Sequence, residues 1–304
     1  MTRQLKRTEI DDAQWNACVD SSPDGHAFFY TWYLDSVMPG WSAMVEGDYQ
    51  SIFPVTKKKK LGISYLLQPI FSRYTGYLSP DGFDTEKATA MLQQLSENTK
   101  YIDIALHERH AGAVSSFTEE QRVFQRLDLS RSYEEIQSGY SDNLIRNLKK
   151  AVKHQLELSK GILPHEIVDG FRRHQKEVSK QFTGSNYKTL LHLMRKADEH
   201  HAAVTLGVIS REKELLAAAC FIKTGNTLLY LKGFSSEEGK TKGAMHFLFD
   251  HIIQQNAVRM NWLDFGGSNL KNVARFYQSY GARDVVYLRI RKNNLPKALR
   301  WLKR

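Results

Sequence analysis

Three apolar runs follow one another in the second half of the chain: AAVTLGVIS (202–210), LLAAACFIK (215–223) and TLLYLKGFS (227–235). Their β-branched and aromatic content reads as strands, the last two joined by a turn at Gly225-Asn226. A helix follows in GAMHFLFDHIIQQN, where Met245, Leu248, Phe249 and Ile252 share one face at helical spacing. WLDFGGSNLKNVARFYQSYGARDVVYLRI (262–290) then adds a strand, a helix and a second strand. Strands interrupted by single helices bury their apolar faces as a central sheet flanked by helices.

The front half repeats this order. AFFYTWYLDSVM reads as a helix, WSAMVEG, YQSIFPVT and GISYLLQP as strands, and KKKKLG as a solvated hairpin tip. TEKATAMLQQLSEN reads as a helix with Asp84 or Thr85 as N-cap, and YIDIAL returns as a strand. The similarity between the halves lies in element order, not in residues. The expected architecture is α/β (α+β): two tandem domains, 1–130 and 131–304, each a mixed central sheet flanked by helices. Charge divides the same way. Residues 1–130 carry 13 Lys/Arg against 17 Asp/Glu, and residues 131–304 carry 30 against 16. The back half is therefore the one expected to meet an anion.

Several function classes drop out. The longest apolar run, Leu215 to Ile222, is too short to span a bilayer, and MTRQLKRTEIDD has no apolar core to act as a secretory signal. Cys18 and Cys220 lie far apart without a CxxC pattern, as in a reducing compartment, so a cytoplasmic protein is expected. Neither HExxH nor a carboxylate cluster with metal spacing is present, and no metal site is expected.

The residues that bear on chemistry concentrate in the back half. EEGKTKGAMHF reads as a glycine-containing loop entering a helix. Gly239, Lys240, Lys242, Gly243 and Ala244 would offer free amides and positive charge to a pyrophosphate. SDNLIRNLKKAVKHQLEL reads as a helix with Arg146, Lys149, Lys150 and Lys153 on one face. Like charges at that spacing repel, which suits an anionic partner, although a solvated face has the same pattern. Asp264 precedes a Gly-Gly turn and is a base, a clamp for a substrate amine, or an acceptor for the turn's amides. Ser268 is placed as N-cap of a helix beginning near Asn269. Arg275 points off that helix's apolar stripe, and Tyr277 lies on it, as core aromatic or as proton donor.

The order of elements, GKTKGA in the loop and NVARFYQSYGA in the last helix resemble the GNAT acyltransferases. In that fold a loop of Arg or Gln, two residues, Gly, one residue and Gly or Ala cradles the pyrophosphate of coenzyme A. Here Lys240 and Met245 depart from the pattern and Gly243 keeps it. Phe276, Tyr277 and Gly281 match the end of the final GNAT helix, whose Tyr often protonates the departing thiolate. The tandem halves, the RNLKKAVK helix and LDFGGSN resemble, more narrowly, the FemAB-like group of aminoacyl-tRNA-dependent and acyl-CoA-type transferases, from about Trp15 to Leu302. The resemblance implies transfer of an acyl or aminoacyl group from acyl-CoA or aminoacyl-tRNA to an amine. No cofactor would be permanently bound, and no DNA partner is expected. Tyr277 and Asp264 would lie at the reacting carbonyl, residues 239–244 at the donor, and Arg146, Lys149, Lys150, Lys153, Ser268, Asn269 and Arg275 at phosphates or substrate. The other class in view is a noncatalytic basic module on the same scaffold that binds RNA or another anion.

Overall fold

Most of the apolar runs form the elements their periodicity announces. The computed structural model describes residues 2–60, 62–110, 117–175, 180, 182–266 and 270–296. Two units organise them: Met1–Val123 with Val285–Arg304, and Phe124–Asp284.

In the first unit, β1 (Thr2–Lys6), β2 (Ser42–Glu46) and β3 (Ser51–Val55) form an antiparallel sheet in that order. α1 (Asp12–Ser21) starts where the Asp11 carboxylate accepts from the amides of Ala13 and Gln14. The aromatic stretch read as one helix is a 3₁₀ turn, Ala27–Phe29, followed by α2 (Thr31–Val37). A second sheet runs β4 (Lys57–Lys60), β5 (Ile63–Leu67), β6 (Tyr101–Leu106), β13 (Arg283–Asn293). The four lysines are therefore not a hairpin tip: they form β4, antiparallel to β5 from Lys57↔Leu66 to Lys60↔Ile63. As the edge strand beside β5, β4 is charged in the manner that blocks further edge pairing. α3 (Thr85–Glu97) is capped by Asp84, which accepts from the Lys87 amide.

The closing strand β13 follows the back half in sequence, yet from Leu288↔Leu106 to Asn293↔Tyr101 it pairs antiparallel with β6. Arg289 clasps both carboxylate oxygens of Asp103 at 2.5 and 2.7 Å. A strand's partner is decided by tertiary pairing, which local periodicity does not encode.

His110 is fully buried in this unit. Nδ1 faces the His107 carbonyl oxygen at 3.2 Å, and Nε2 accepts from the Tyr77 amide. That pairing assigns the proton to Nδ1. Burial pushes the imidazole down to about 4 from 6.5. Because the folded value lies below the unfolded one, the contribution is full above pH 6.5 and is lost as pH falls through about 4. The shift corresponds to about 3 kcal/mol. Urea midpoints at pH 7 and pH 4.5 should differ accordingly for the wild type, and should differ less for His110→Asn. Equal pH sensitivity in the two proteins would rule out this histidine as the acid trigger.

The second unit holds a mixed sheet in the order β7 (Thr118–Asp128), β12 (Trp262–Asp264), β11 (Thr227–Ser235), β10 (Leu215–Thr224), β9 (Ala203–Ile209), β8 (Glu157–Lys160). β7 was not read as a strand: its first residues are Thr-Glu-Glu-Gln-Arg, and its apolar alternation starts only near Phe124. β9, β10 and β11 are antiparallel, with Thr224↔Thr227 closing the hairpin at Gly225. β11 and β12 are parallel, as a helical crossover requires.

The helices of this unit are α4 (Tyr133–Ser138), α5 (Asp142–Lys153), α6 (Pro164–His174), α7 (Gly184–Glu199), α8 (Glu237–Lys242), α9 (Ala244–Asn256) and α10 (Lys271–Gln278). The basic helix α5 ends at Lys153, and Glu157-Leu158 beyond it belong to β8. The core here is aromatic. The Phe249 ring lies 5.0–5.9 Å from those of Phe221, Tyr230, Phe265, Phe276 and Tyr280.

No helix among the described residues is long and apolar enough to cross a membrane. Among them, too, no group of three or more His, Cys, Asp and Glu is arranged to hold a metal ion.

Candidate functional site

The site begins where two strands part. β11 has nine residues, but its parallel ladder to β12 consists of Thr227↔Trp262, Leu228↔Leu263 and Leu229↔Asp264. From Tyr230 onward β11 has no strand partner on that flank among the described residues. A cavity of about 380 Å³ lies there, with Tyr230, Lys232, Gly233 and Ser235 of β11 on its wall. Val273, Phe276 and Tyr277 of α10 line it as well, as do Gly239, Lys240, Met245 and His246.

The segment around Gly239 differs from its expected form. EEGKTK is not an open loop but the helix α8, because the Ser236 hydroxyl accepts from the Gly239 amide and two glutamates occupy the first turn. The Lys240 amide donates to the Ser236 carbonyl. Backbone groups expected to be free are thus partly used within the helix. Lys240 pairs with Glu237 at 2.6 Å and Lys242 with Glu238 at 2.5 Å, so each expected phosphate-facing lysine carries a carboxylate from its own helix.

Gly243 separates α8 from α9 with φ of 80°, a conformation glycine adopts without Cβ strain. A Cβ there would lie 2.4 Å from the Asn147 carbonyl oxygen, so this turn presses directly on α5. Ala244, fully buried, starts α9. Gly239 and Lys240 line the cavity, whereas Lys242, Gly243 and Ala244 are not among its lining residues.

Asp264 is 2% exposed, and its Oδ1 accepts from the Gly266 amide at 2.8 Å, anchoring the turn. The same carboxylate acts electrostatically on Tyr277. Tyr277 stacks on Phe265 with ring centroids 4.6 Å apart. Burial, then Tyr230, then Asp264 push its phenol well above the usual range, so its proton stays on at neutral pH. Arg146, Lys149, Lys150 and Lys153 are all exposed on α5 and do not line this cavity, while Asn147 between them turns inward. Lys150 still reaches it electrostatically: burial and then Lys150 push His246 down to about 4, leaving a neutral imidazole. Arg275 is exposed and off the cavity. Ser268 and Asn269 lie outside the described residues.

Sequence reasoning missed Lys232 and Tyr230, and it set His246 aside because His246 and His251 do not share a helical face. Alternation in TLLYLKGFS does not place Lys232: it pairs with Cys220 and Tyr230 pairs with Phe221, so a β-bulge between them turns the two side chains to opposite faces of β11. The Lys232 Nζ lies 5.4 and 5.7 Å from the ring centroids of Phe171 and Phe182. The rings favour the ammonium and burial opposes it; burial prevails and pushes the pKa down to about 8. The lining of the cavity thus includes an acid that keeps its proton and an amine whose pKa lies near 8. Divergent shifts of this kind mark groups suited to moving protons.

No protein-family model matches the chain, and no curated protein matches it. Solved structures do. The crystal structure of FemX superposes with a TM-score of 0.70 over 99% of each chain at 14% identity. L-PGS from Bacillus licheniformis does so at 0.54, over 96% of this chain and 94% of its own, at 11% identity. A tandem GNAT protein from the clavulanic acid biosynthesis pathway gives 0.52 over 98% and 100%, also at 11% identity.

The fold is tandem GNAT-like, of the FemAB type.

At these identities the likeness concerns the fold alone. In this GNAT-like back unit, the cavity lies along β11 beyond the end of its ladder to β12.

Proposed function

We propose that the back unit transfers an acyl or aminoacyl group from a thioester or a tRNA ester to an amine, by direct attack of the neutral amine. The observation that carries this reading is the early end of the β11–β12 ladder with Tyr277 on the cavity beside it. An open strand flank presents backbone donors and acceptors, and an amide-containing chain such as a pantetheine arm pairs with such a flank as an added strand. The reacting carbonyl would then lie toward Tyr277. In this reading the phenol gives its proton to the departing thiolate or alkoxide and recovers one from the attacking nitrogen. The tetrahedral oxyanion is stabilised by amide donors of the parted strands.

Asp264 serves this site by holding the turn and the Tyr277 proton. Lys240 stands at the cavity edge, where exchange of its Glu237 partner for a donor phosphate is a modest step, since an exposed ion pair contributes little. The test is a binding screen of acyl-CoAs against aminoacyl-tRNAs by thermal shift. The true donor raises Tm, by about 2.7 kcal/mol of stabilisation at a hundred times Kd, and Lys240→Glu removes most of that shift. If no acyl-CoA and no aminoacyl-tRNA binds, the transferase reading is dropped.

A second reading has its own observation: four cationic side chains stand exposed on α5, away from the cavity. A noncatalytic module using that face binds bulk RNA with a steep salt dependence and gains nothing from acyl-CoA. The same screen, run at two salt concentrations, separates the two.

A further inference from the structure

We propose that Lys232 is an acylation site of the chain itself: in the absence of an amine acceptor, its Nζ takes the acyl group of a thioester lodged in the cavity. This rests on the cavity being a donor site. Lys232, which pairs with Cys220 across a β-bulge that separates it from Tyr230, lines the same cavity as Tyr230 and Tyr277. The amine sits over two phenyl rings, burial lowers its proton affinity, and among the described residues no carboxylate pairs with it. Lys240 and Lys242, by contrast, each pair with a glutamate.

A desolvated lysine without an acidic partner is the form in which this side chain becomes a nucleophile. With its pKa near 8, about a quarter of Lys232 is neutral at pH 7.5, against about one part in a thousand for an ordinary lysine.

The step balances without another reactant. The neutral Nζ attacks the thioester carbon, forming an N–C bond, and the C–S bond breaks as the tetrahedral adduct collapses. The thiolate leaves with the Tyr277 proton, and the nitrogen gives up one proton that restores the phenol. The products are a secondary amide on Lys232 and a free thiol. The amide has lost the charge of the ammonium, and its acyl chain occupies the cavity lined by Phe171, Tyr230 and Tyr277. Acylation therefore closes the donor site. A neutral amine acceptor competes for the same carbonyl, so the modification accumulates when donor is present and acceptor is scarce.

The experiment incubates the full chain with acetyl-CoA from pH 6.5 to 9.5 and maps acetylation by peptide mass spectrometry. The expected result is one acetyl group on Lys232, with a midpoint near pH 8 and a rate on the order of tenfold or more above those of the exposed Lys149 and Lys213. Lys232→Arg removes the modification, and Tyr277→Phe slows it.

A parallel arm uses trace acetic anhydride, which needs no recognition of coenzyme A. If the anhydride labels Lys232 with a midpoint near pH 8 while acetyl-CoA does not, the nucleophile stands and coenzyme A as donor falls. If Lys232 is labelled by neither reagent faster than the exposed lysines, the proposal is overturned. Circular dichroism on Lys232→Arg and on Lys232→Gln shows whether each variant is folded. In the folded protein, Lys232→Gln, which imitates the acylated side chain, loses the acetyl-CoA thermal shift. A full shift in that variant would overturn the closure of the site.

Discussion

Tyr277→Phe is expected to lower the rate of acyl transfer by about a hundred- to ten-thousandfold, the range supplied by a positioned proton donor. The substitution removes one oxygen from a ring that stacks on Phe265 at 4.6 Å and otherwise packs as before. Donor affinity, read as the thermal shift with the donor identified in the binding screen, should be unchanged, because the phenol acts on the leaving group rather than on the donor's phosphates. The shape of the pH profile is a second signature. A phenol held well above its usual range by burial, Tyr230 and Asp264 keeps its proton through neutral and mildly alkaline solution. The wild-type rate should therefore show no loss from this group as pH rises toward 9. Should Tyr277→Phe transfer at the wild-type rate, Tyr277 is a core aromatic and the leaving group takes its proton from elsewhere.

The largest effect on stability is expected at Phe249. Its ring is 1% exposed and sits among Phe221, Tyr230, Phe265, Phe276 and Tyr280, drawn from β10, β11, the segment after β12, α10 and the turn that follows it. Phe249→Ala leaves a void that these rings, packed from separate elements, fill incompletely, at a cost of about 3–5 kcal/mol. Phe249 also lines the cavity, so donor binding should weaken in the same variant. Phe249→Leu retains most of the volume and is expected to cost less. Urea unfolding of the three proteins settles the order. A loss below 1 kcal/mol for the alanine variant would mean that the cluster collapses around the gap and is not the rigid support of the Tyr277 wall.

Much of the fold is legible in the sequence because its signals are local. The runs at 202–210, 215–223 and 227–235 read as strands from side-chain type alone, and Asp84 announces the start of α3. The turn at Gly225 and the apolar face of α9 follow from the same short-range rules. KKKK was misread because charge at an edge strand looks, in sequence, like charge in a turn; only the pairing with β5 distinguishes them. EEGKTK was misread because two glycines suggest a loop, although Ser236 and two glutamates form a good helix start. Lys232 was overlooked because a lysine in an apolar strand is ordinarily solvated, and whether it faces water depends on what covers that face.

The sequence by itself determined β9, β10, β11, α3 and α9, the acid before the Gly-Gly turn and the aromatic helix that carries Tyr277. These follow from periodicity, capping and side-chain chemistry within a few residues. Only the tertiary structure decided that β13 pairs with β6, that β11 and β12 part after Leu229, and that Lys232, Lys240 and Tyr277 share one cavity. The physical reason is the same in each case. Strand partners and burial join residues far apart in the chain, and the desolvation that pushes Lys232 and Tyr277 in opposite directions exists only once those partners have closed around them.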